Sequence, residues 1–168
     1  MHTRETLLTT LRNRGYIFET LEHPALNTVA DAQKFRGPMG GTHIKNLVLK
    51  DRQKQLYLVV LEATRALHLQ TLRRILGCSQ LSFASIDILH DILGVKPGSV
   101  SPLALINAPP DAIKLVIDQT VTDQETINVH PLDNRFTTQM RTEDLRDFII
   151  HLGFSTIWLK PENEDDDS

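Results

Sequence analysis

Aromatic residues make up only 5% of this 168-residue chain, too few to build the stacked platforms on which many proteins hold single-stranded nucleic acid. Cysteine occurs once, as Cys78, which excludes a disulfide framework and a cage of thiolate ligands. With no local partner motif, Cys78 reads as a small buried thiol rather than a nucleophile. No apolar run approaches the roughly 18 residues that cross a bilayer, and the opening "MHTRETLL" lacks the apolar stretch of a secretory signal. No membrane association is expected, and a reducing cytoplasm is the expected setting. Familiar catalytic signatures are missing too: there is no G-x-S-x-G elbow, Walker loop, G-x-G-x-x-G or H-E-x-x-H. The seven histidines stand singly, without the spacing of a metal site on one element, so no metal is expected.

What is present fits one globular domain over residues 1–160 followed by an acidic tail. The hydrophobic fraction is 40% and the charged fraction 23%, and the length suits a single core. The formal charge of -3 comes from the tail "PENEDDDS" at 161–168, which holds five acidic residues and reads as a solvated, disordered end. The chain before it carries 16 acidic against 18 basic residues, a net of +2, enough for a local phosphate contact and too little for a broad grip on a duplex.

Apolar spacing predicts an opening helix with Leu7, Leu8 and Leu11 on one face, Thr3 as its N-cap and Gly15 at its stop. "YIFETLEH" follows as a strand broken at Pro24, and "TVADAQKF" as a helix with Thr28 and Asp31 spaced like a capping box. Strands are predicted over 42–49 and 56–61, joined as a hairpin through "KDRQKQ". A helix ending at Gly77, a short strand "LSFA" and a helix capped by Ser85 and stopped at Gly94 come next. "LALIN", "IKLVID" and "TINVH" have strand character, and "RTEDLRDFIIHLG" closes as an amphipathic helix capped by Thr142. Interleaved helices and hairpins imply an α/β domain with a mixed, curved sheet flanked by helices.

Three features stand out. In "GTHIKNLVLKD", alternation sends His43, Lys45, Leu47 and Leu49 to one face and Ile44, Asn46 and Val48 to the other, so either face takes in an amine or an amide. Lys45 either snorkels to water from a sheet edge or stands in a cleft, where its ammonium could anchor a phosphate or polarise an ester carbonyl. "GVKPGSVSPL" is either an ordinary connection or a tight loop whose consecutive amides converge on an anion. In "NVHPLDN", His130 ends a strand just before Pro131; it is either packed there or presented beyond the sheet edge.

Taken together, "HPA...TVADA", "GGTHIKNLVLKD", "LYLVVL", "FAS", "LGVKPGSVSPLALIN" and "NVHPLDN" resemble the YbaK/prolyl-tRNA editing family, and most closely its freestanding deacylases of alanyl-tRNA(Pro), over about residues 3–155. The resemblance implies a single domain with a partly barrel-like sheet, and hydrolysis of the ester between a wrong amino acid and the tRNA 3′ end with no metal, cofactor or covalent enzyme intermediate. It implies that Lys45 is the essential lysine, that Asn46 contacts substrate, that the G-x-x-x-P loop of Gly98, Ser99, Val100, Ser101 and Pro102 cradles the aminoacyl group, and that His130 lines the pocket. The implied partner is the acceptor end of mischarged tRNA(Pro), which Arg36, Lys50, Arg52 and Lys54 could meet through phosphates, with prolyl-tRNA synthetase or an elongation factor as candidate suppliers. A deacylase of cysteinyl-tRNA(Pro) and a non-catalytic module binding aminoacyl-tRNA ends are the alternatives.

Overall fold

A computed structural model describes residues 1–25, 30, 31, 34 and 39–160. Helix α1 (Arg4–Asn13) leads to β1 (Phe18–Glu22), β2 (Thr42–Asp51), β3 (Leu56–Glu62), α2 (Leu69–Leu76) and β4 (Leu81–Phe83). A short α3 (Ile86–Ile88) runs on as a π-helical turn (Leu89–Leu93), and a 3₁₀ helix spans Pro102–Asn107. The chain then forms β5 (Ile113–Asp118), a 3₁₀ turn (Gln119–Thr122), β6 (Thr126–Val129), β7 (Phe136–Arg141), α4 (Thr142–His151) and β8 (Thr156–Leu159).

The eight strands form one mixed sheet in the order β1-β7-β6-β2-β3-β5-β8, with β4 added to β2. The expected hairpin is present: β2 and β3 pair antiparallel from Ile44↔Glu62 to Lys50↔Leu56. Asp51 closes its turn, accepting from the amides of Gln53 and Gln55 at 2.9 Å each. The apolar run "LYLVVL" is buried throughout because β3 has a core on each side. Leu58 and Val60 face the main cluster with Leu7 and Leu11 of α1, Leu103 and Leu105 of the 3₁₀ helix and Phe148 of α4. Tyr57, Val59 and Leu61 face a second cluster beneath Leu72 of α2. A strand covered on both faces shows no alternation of apolar and polar residues.

Several details differ from the sequence-based expectations. "LALIN" is a 3₁₀ helix rather than a strand: Pro102 supplies a helical φ at its first position, and the Ser101 hydroxyl accepts from the Leu103 amide at 3.0 Å. A short apolar run has no period with which to separate the two outcomes. Thr142 is the first residue of α4, with Arg141 at the cap position, because the Thr142 hydroxyl is engaged in donating to the Gln124 carbonyl at 2.7 Å. Strand β2 reaches Asp51, two residues beyond the expected end. Strands β7 and β8 were not evident, β7 because its buried positions include Thr137 and Thr138. The capping box at Thr28, Arg36 and the tail at 161–168 lie outside the described residues. Among the described residues, no helix is long and apolar enough to cross a membrane.

Candidate active site

Strand β2 has different partners on its two edges. One edge is held by β3 over its length. The other pairs in parallel with β6 at Thr42↔Ile127 and His43↔Asn128, then antiparallel with β4 from Leu49↔Phe83 to Asp51↔Leu81. Between these contacts, at Ile44–Leu47, no strand among the described residues pairs with that edge. Among the described residues the sheet is open where Lys45 and Asn46 sit.

Two glycines and two amides hold the entrance to this stretch. Gly41 has φ +87°, and a Cβ there would lie 2.9 Å from the Thr126 carbonyl oxygen, so only glycine lets the chain approach β6 this closely. Asn128, which is buried, donates from Nδ2 to the Gly40 and Thr42 carbonyls at 3.0 and 3.2 Å. Gln139 adds a bond to the Gly40 carbonyl at 2.7 Å.

The parallel pairing of β2 with β6 ends at His43↔Asn128; Lys45 lies two residues further along β2 and His130 just past the end of β6. Ile127 and Val129 belong to the main core, so alternation turns Asn128 to the opposite face, the one that His43 and Lys45 share. Both Lys45 and His130 are half-buried. His130 shares Nδ1 with the Phe136 carbonyl at 2.8 Å. A carbonyl only accepts, so Nδ1 carries the hydrogen and Nε2 is the basic nitrogen of the neutral ring. His23, 6% exposed, stands with its ring 6.3 Å from that of His130 and its Nε2 2.7 Å from the Thr137 hydroxyl.

Asn46 points to the other face, beside Val60. Its Oδ1 is buried with no hydrogen-bond partner among the described residues, an arrangement that costs free energy unless a ligand supplies a donor. The G-x-x-x-P loop lies on that side, with Val100 in the main core. Its first turn is closed by the Ser99 amide donating to the Lys96 carbonyl at 3.0 Å, with Pro97 second and Gly98 third at φ +86°, a type II turn that requires glycine there. The amides of the following Val100 and Ser101 donate to no acceptor among the described residues. Pro102 is buried at the start of the 3₁₀ helix.

The loop is fastened to the segment after β6: the Asn134 amide donates to the Ser99 hydroxyl at 3.1 Å. Next to it, Asp133 accepts from Arg135 at 2.6 Å and from Arg4 at 3.3 Å. The Arg135 hydrogen bond, with Arg4 adding to it, lowers the Asp133 carboxyl from an ordinary 3.8 to about 2. The unfolded chain takes up this proton more readily, so the stabilisation is complete above about pH 4 and disappears as pH falls toward 2. Denaturant titrations of wild type and Asp133→Asn are therefore expected to differ at pH 7 and to converge near pH 2; a gap that persists in acid would contradict the assignment.

Of the residues singled out by sequence, Lys45 and Asn46 lie on opposite faces of β2, His130 follows the end of the neighbouring β6, and Val100 of the Gly98–Pro102 loop packs in the main core. His23, Asn128, Asp133 and Thr137 escaped sequence reasoning because each works through a partner distant in the chain. A separate cleft of about 280 Å³ lies under α2, lined by Leu67, Leu72, Ile75 and Leu159 among others. None of the singled-out residues lines it.

Among the described residues, the unpaired stretch of β2 carries an amine and a buried amide oxygen without a hydrogen-bond partner. The chain belongs to the aminoacyl-tRNA editing domain family, whose pattern matches residues 23–148, and by class it is an aminoacyl-tRNA deacylase. Among its relatives is the prolyl-tRNA editing protein ProX of Acetoanaerobium sticklandii, 29% identical over 89% of this chain and 92% of that protein. Another is prolyl-tRNA synthetase associated domain-containing protein 1 of Danio rerio, 33% identical over 77% of this chain and 71% of that one. A solved structure described as a candidate trans-editing enzyme for prolyl tRNA synthetase superposes with a TM-score of 0.69 at 20% identity, covering 95% of this chain and 98% of that one. It shares the fold.

Proposed function

We propose that this protein is a trans-editing hydrolase that removes alanine from mischarged tRNA(Pro). The observation carrying the proposal is the unpaired edge of β2, which lets groups from both faces of the sheet border one site. An aminoacyl ester is already activated, so the site needs to position water and stabilise the oxyanion rather than supply a strong nucleophile. Lys45 supplies positive charge toward the terminal phosphate or the developing oxyanion. The amides of Val100 and Ser101 donate to the same oxygen, and Asn46 Oδ1 accepts from the substrate's α-ammonium. Gly98, Ser99 and Pro102 shape the pocket wall, and His130 lines it.

Size selection favours this substrate. A pocket can exclude the larger proline by clash, whereas a single methylene is worth only about 1–3 kcal/mol in the other direction. Serine and other small residues are expected to enter as well. The partner is the acceptor end of the tRNA, with Lys50, Arg52 and Lys54 near β2 positioned in sequence to meet phosphates, and prolyl-tRNA synthetase or an elongation factor handing over the substrate in the cytoplasm.

The test is hydrolysis of alanyl, cysteinyl and prolyl esters of tRNA(Pro) by the purified protein. Rapid loss of alanine alone is expected. Loss of cysteine alone would reassign the substrate, and no turnover of any ester would make the protein a binding module. We further propose that the ribose hydroxyl beside the ester helps to activate water. Alanyl-tRNA(Pro) lacking that hydroxyl is then expected to react at least tenfold more slowly in single-turnover assays; equal rates would refute substrate assistance.

A further inference from the structure

We propose that Asp133 is a positioning residue, a clamp through which α1 fixes the segment that orients both His130 and the Ser99 loop. This assignment rests on the function proposed above. The segment from Pro131 to Phe136 touches the site at two points: the Asn134 amide holds the Ser99 hydroxyl, and the Phe136 carbonyl holds His130 Nδ1. Asp133 organises the path between them. Its Oδ1 accepts from the Arg135 amide and Nε at 3.0 Å each, its Oδ2 from Arg135 Nη2 at 2.6 Å, and its carbonyl from the Phe136 amide at 3.1 Å. Its carboxylate is therefore the hub of the turn.

The turn also carries strain. Leu132, which packs against the main core, has φ +66°, a left-handed conformation that is unfavourable for a residue with a Cβ. Such strain persists only where the surroundings over-determine it. Arg4 supplies an outside anchor, reaching Asp133 Oδ2 at 3.3 Å while its guanidinium lies 3.7 Å from the centre of the Phe136 ring. One arginine of α1 thus touches the carboxylate at one end of the turn and, at the other, the residue whose carbonyl fixes the His130 tautomer. A solvated surface ion pair would have no such second contact.

The decisive measurement combines imidazole ¹⁵N spectra of His130 with deacylation kinetics on the full chain. In wild type the neutral ring is expected as the Nδ1–H form. In Asp133→Asn the spectrum is expected to shift toward a mixture of tautomers, with kcat reduced about tenfold and KM changed less than threefold. Arg4→Gln, which leaves the turn's internal bonds intact, is expected to give a smaller shift of the same kind, and the double variant less than the product of the two losses. It also serves should Asp133→Asn fail to fold. An unchanged His130 spectrum in the variants, or a loss of activity that follows thermal stability alone, would overturn the proposal. Failure of wild type to hydrolyse any ester would refute the function instead, while the His130 spectra would still decide whether Asp133 orients that ring.

Discussion

Replacing Lys45 with alanine is expected to lower kcat/KM for the aminoacyl ester by a factor of about 10² to 10³, the loss typical of removing one preorganised donor from a developing oxyanion. The change should leave the fold in place. Lys45 is half-buried and stands opposite Leu61 of β3. The ladder bonds are made by backbone, which alanine keeps. The cost in stability is that of the lost stem packing, on the order of 1 kcal/mol. Lys45→Met separates the two effects, because it retains an apolar stem and removes only the charge. Methionine is expected to restore stability and not activity. If Lys45→Met hydrolysed substrate within threefold of wild type, the ammonium would have no part in the chemistry and Lys45 would be a snorkelling surface residue.

The largest effect on the fold is expected from Gly41→Ala. The new Cβ would overlap the Thr126 hydroxyl oxygen and fall 2.9 Å from the Thr126 carbonyl oxygen, at a backbone φ of +87°. Left-handed strain contributes roughly 1–2 kcal/mol and the clash about 1–3 kcal/mol more. A destabilisation of several kcal/mol should appear in denaturant titration. Adding Thr126→Ala removes the hydroxyl but neither the carbonyl contact nor the φ, so it should recover only part of the loss. Complete recovery would mean that the side-chain contact alone made glycine necessary. Activity should fall further than stability accounts for, because Gly41 leads directly into the Thr42↔Ile127 pairing that anchors the strand carrying Lys45.

Lys45 and His130 also mark how far the sequence could be read. Lys45 was conspicuous because a lysine in an alternating strand has to be explained, and His130 because a proline follows it. Both signals are local. The meeting of the strands that precede them is not local, since β2 pairs in parallel with a strand more than eighty positions later in the chain, and parallel pairing leaves no turn signature between the partners. Alternation alone puts Asn46 and Lys45 on opposite faces, and the β2/β3 register agrees. Asp133 and His23 act through Arg4 and Thr137, which no spacing rule connects to them. "LALIN" shows a different limit: its apolar side chains lie in the core, but an apolar run does not determine whether the backbone coils or extends.

The absence, among the described residues, of a strand partner along Ile44–Leu47 separates two jobs that enzymes often have to perform with the same residues. Strand pairing on either side of this stretch holds Lys45 in a fixed place, while in the site proposed above the walls come from connecting segments such as Lys96–Pro102 and Pro131–Phe136. Connecting segments accept substitution and changes of length far more readily than paired strands do. A lineage could therefore retune which acyl group fits by altering the walls and leave the reactive frame untouched. The opening in the sheet makes the scaffold evolvable in selectivity while its chemistry stays constant.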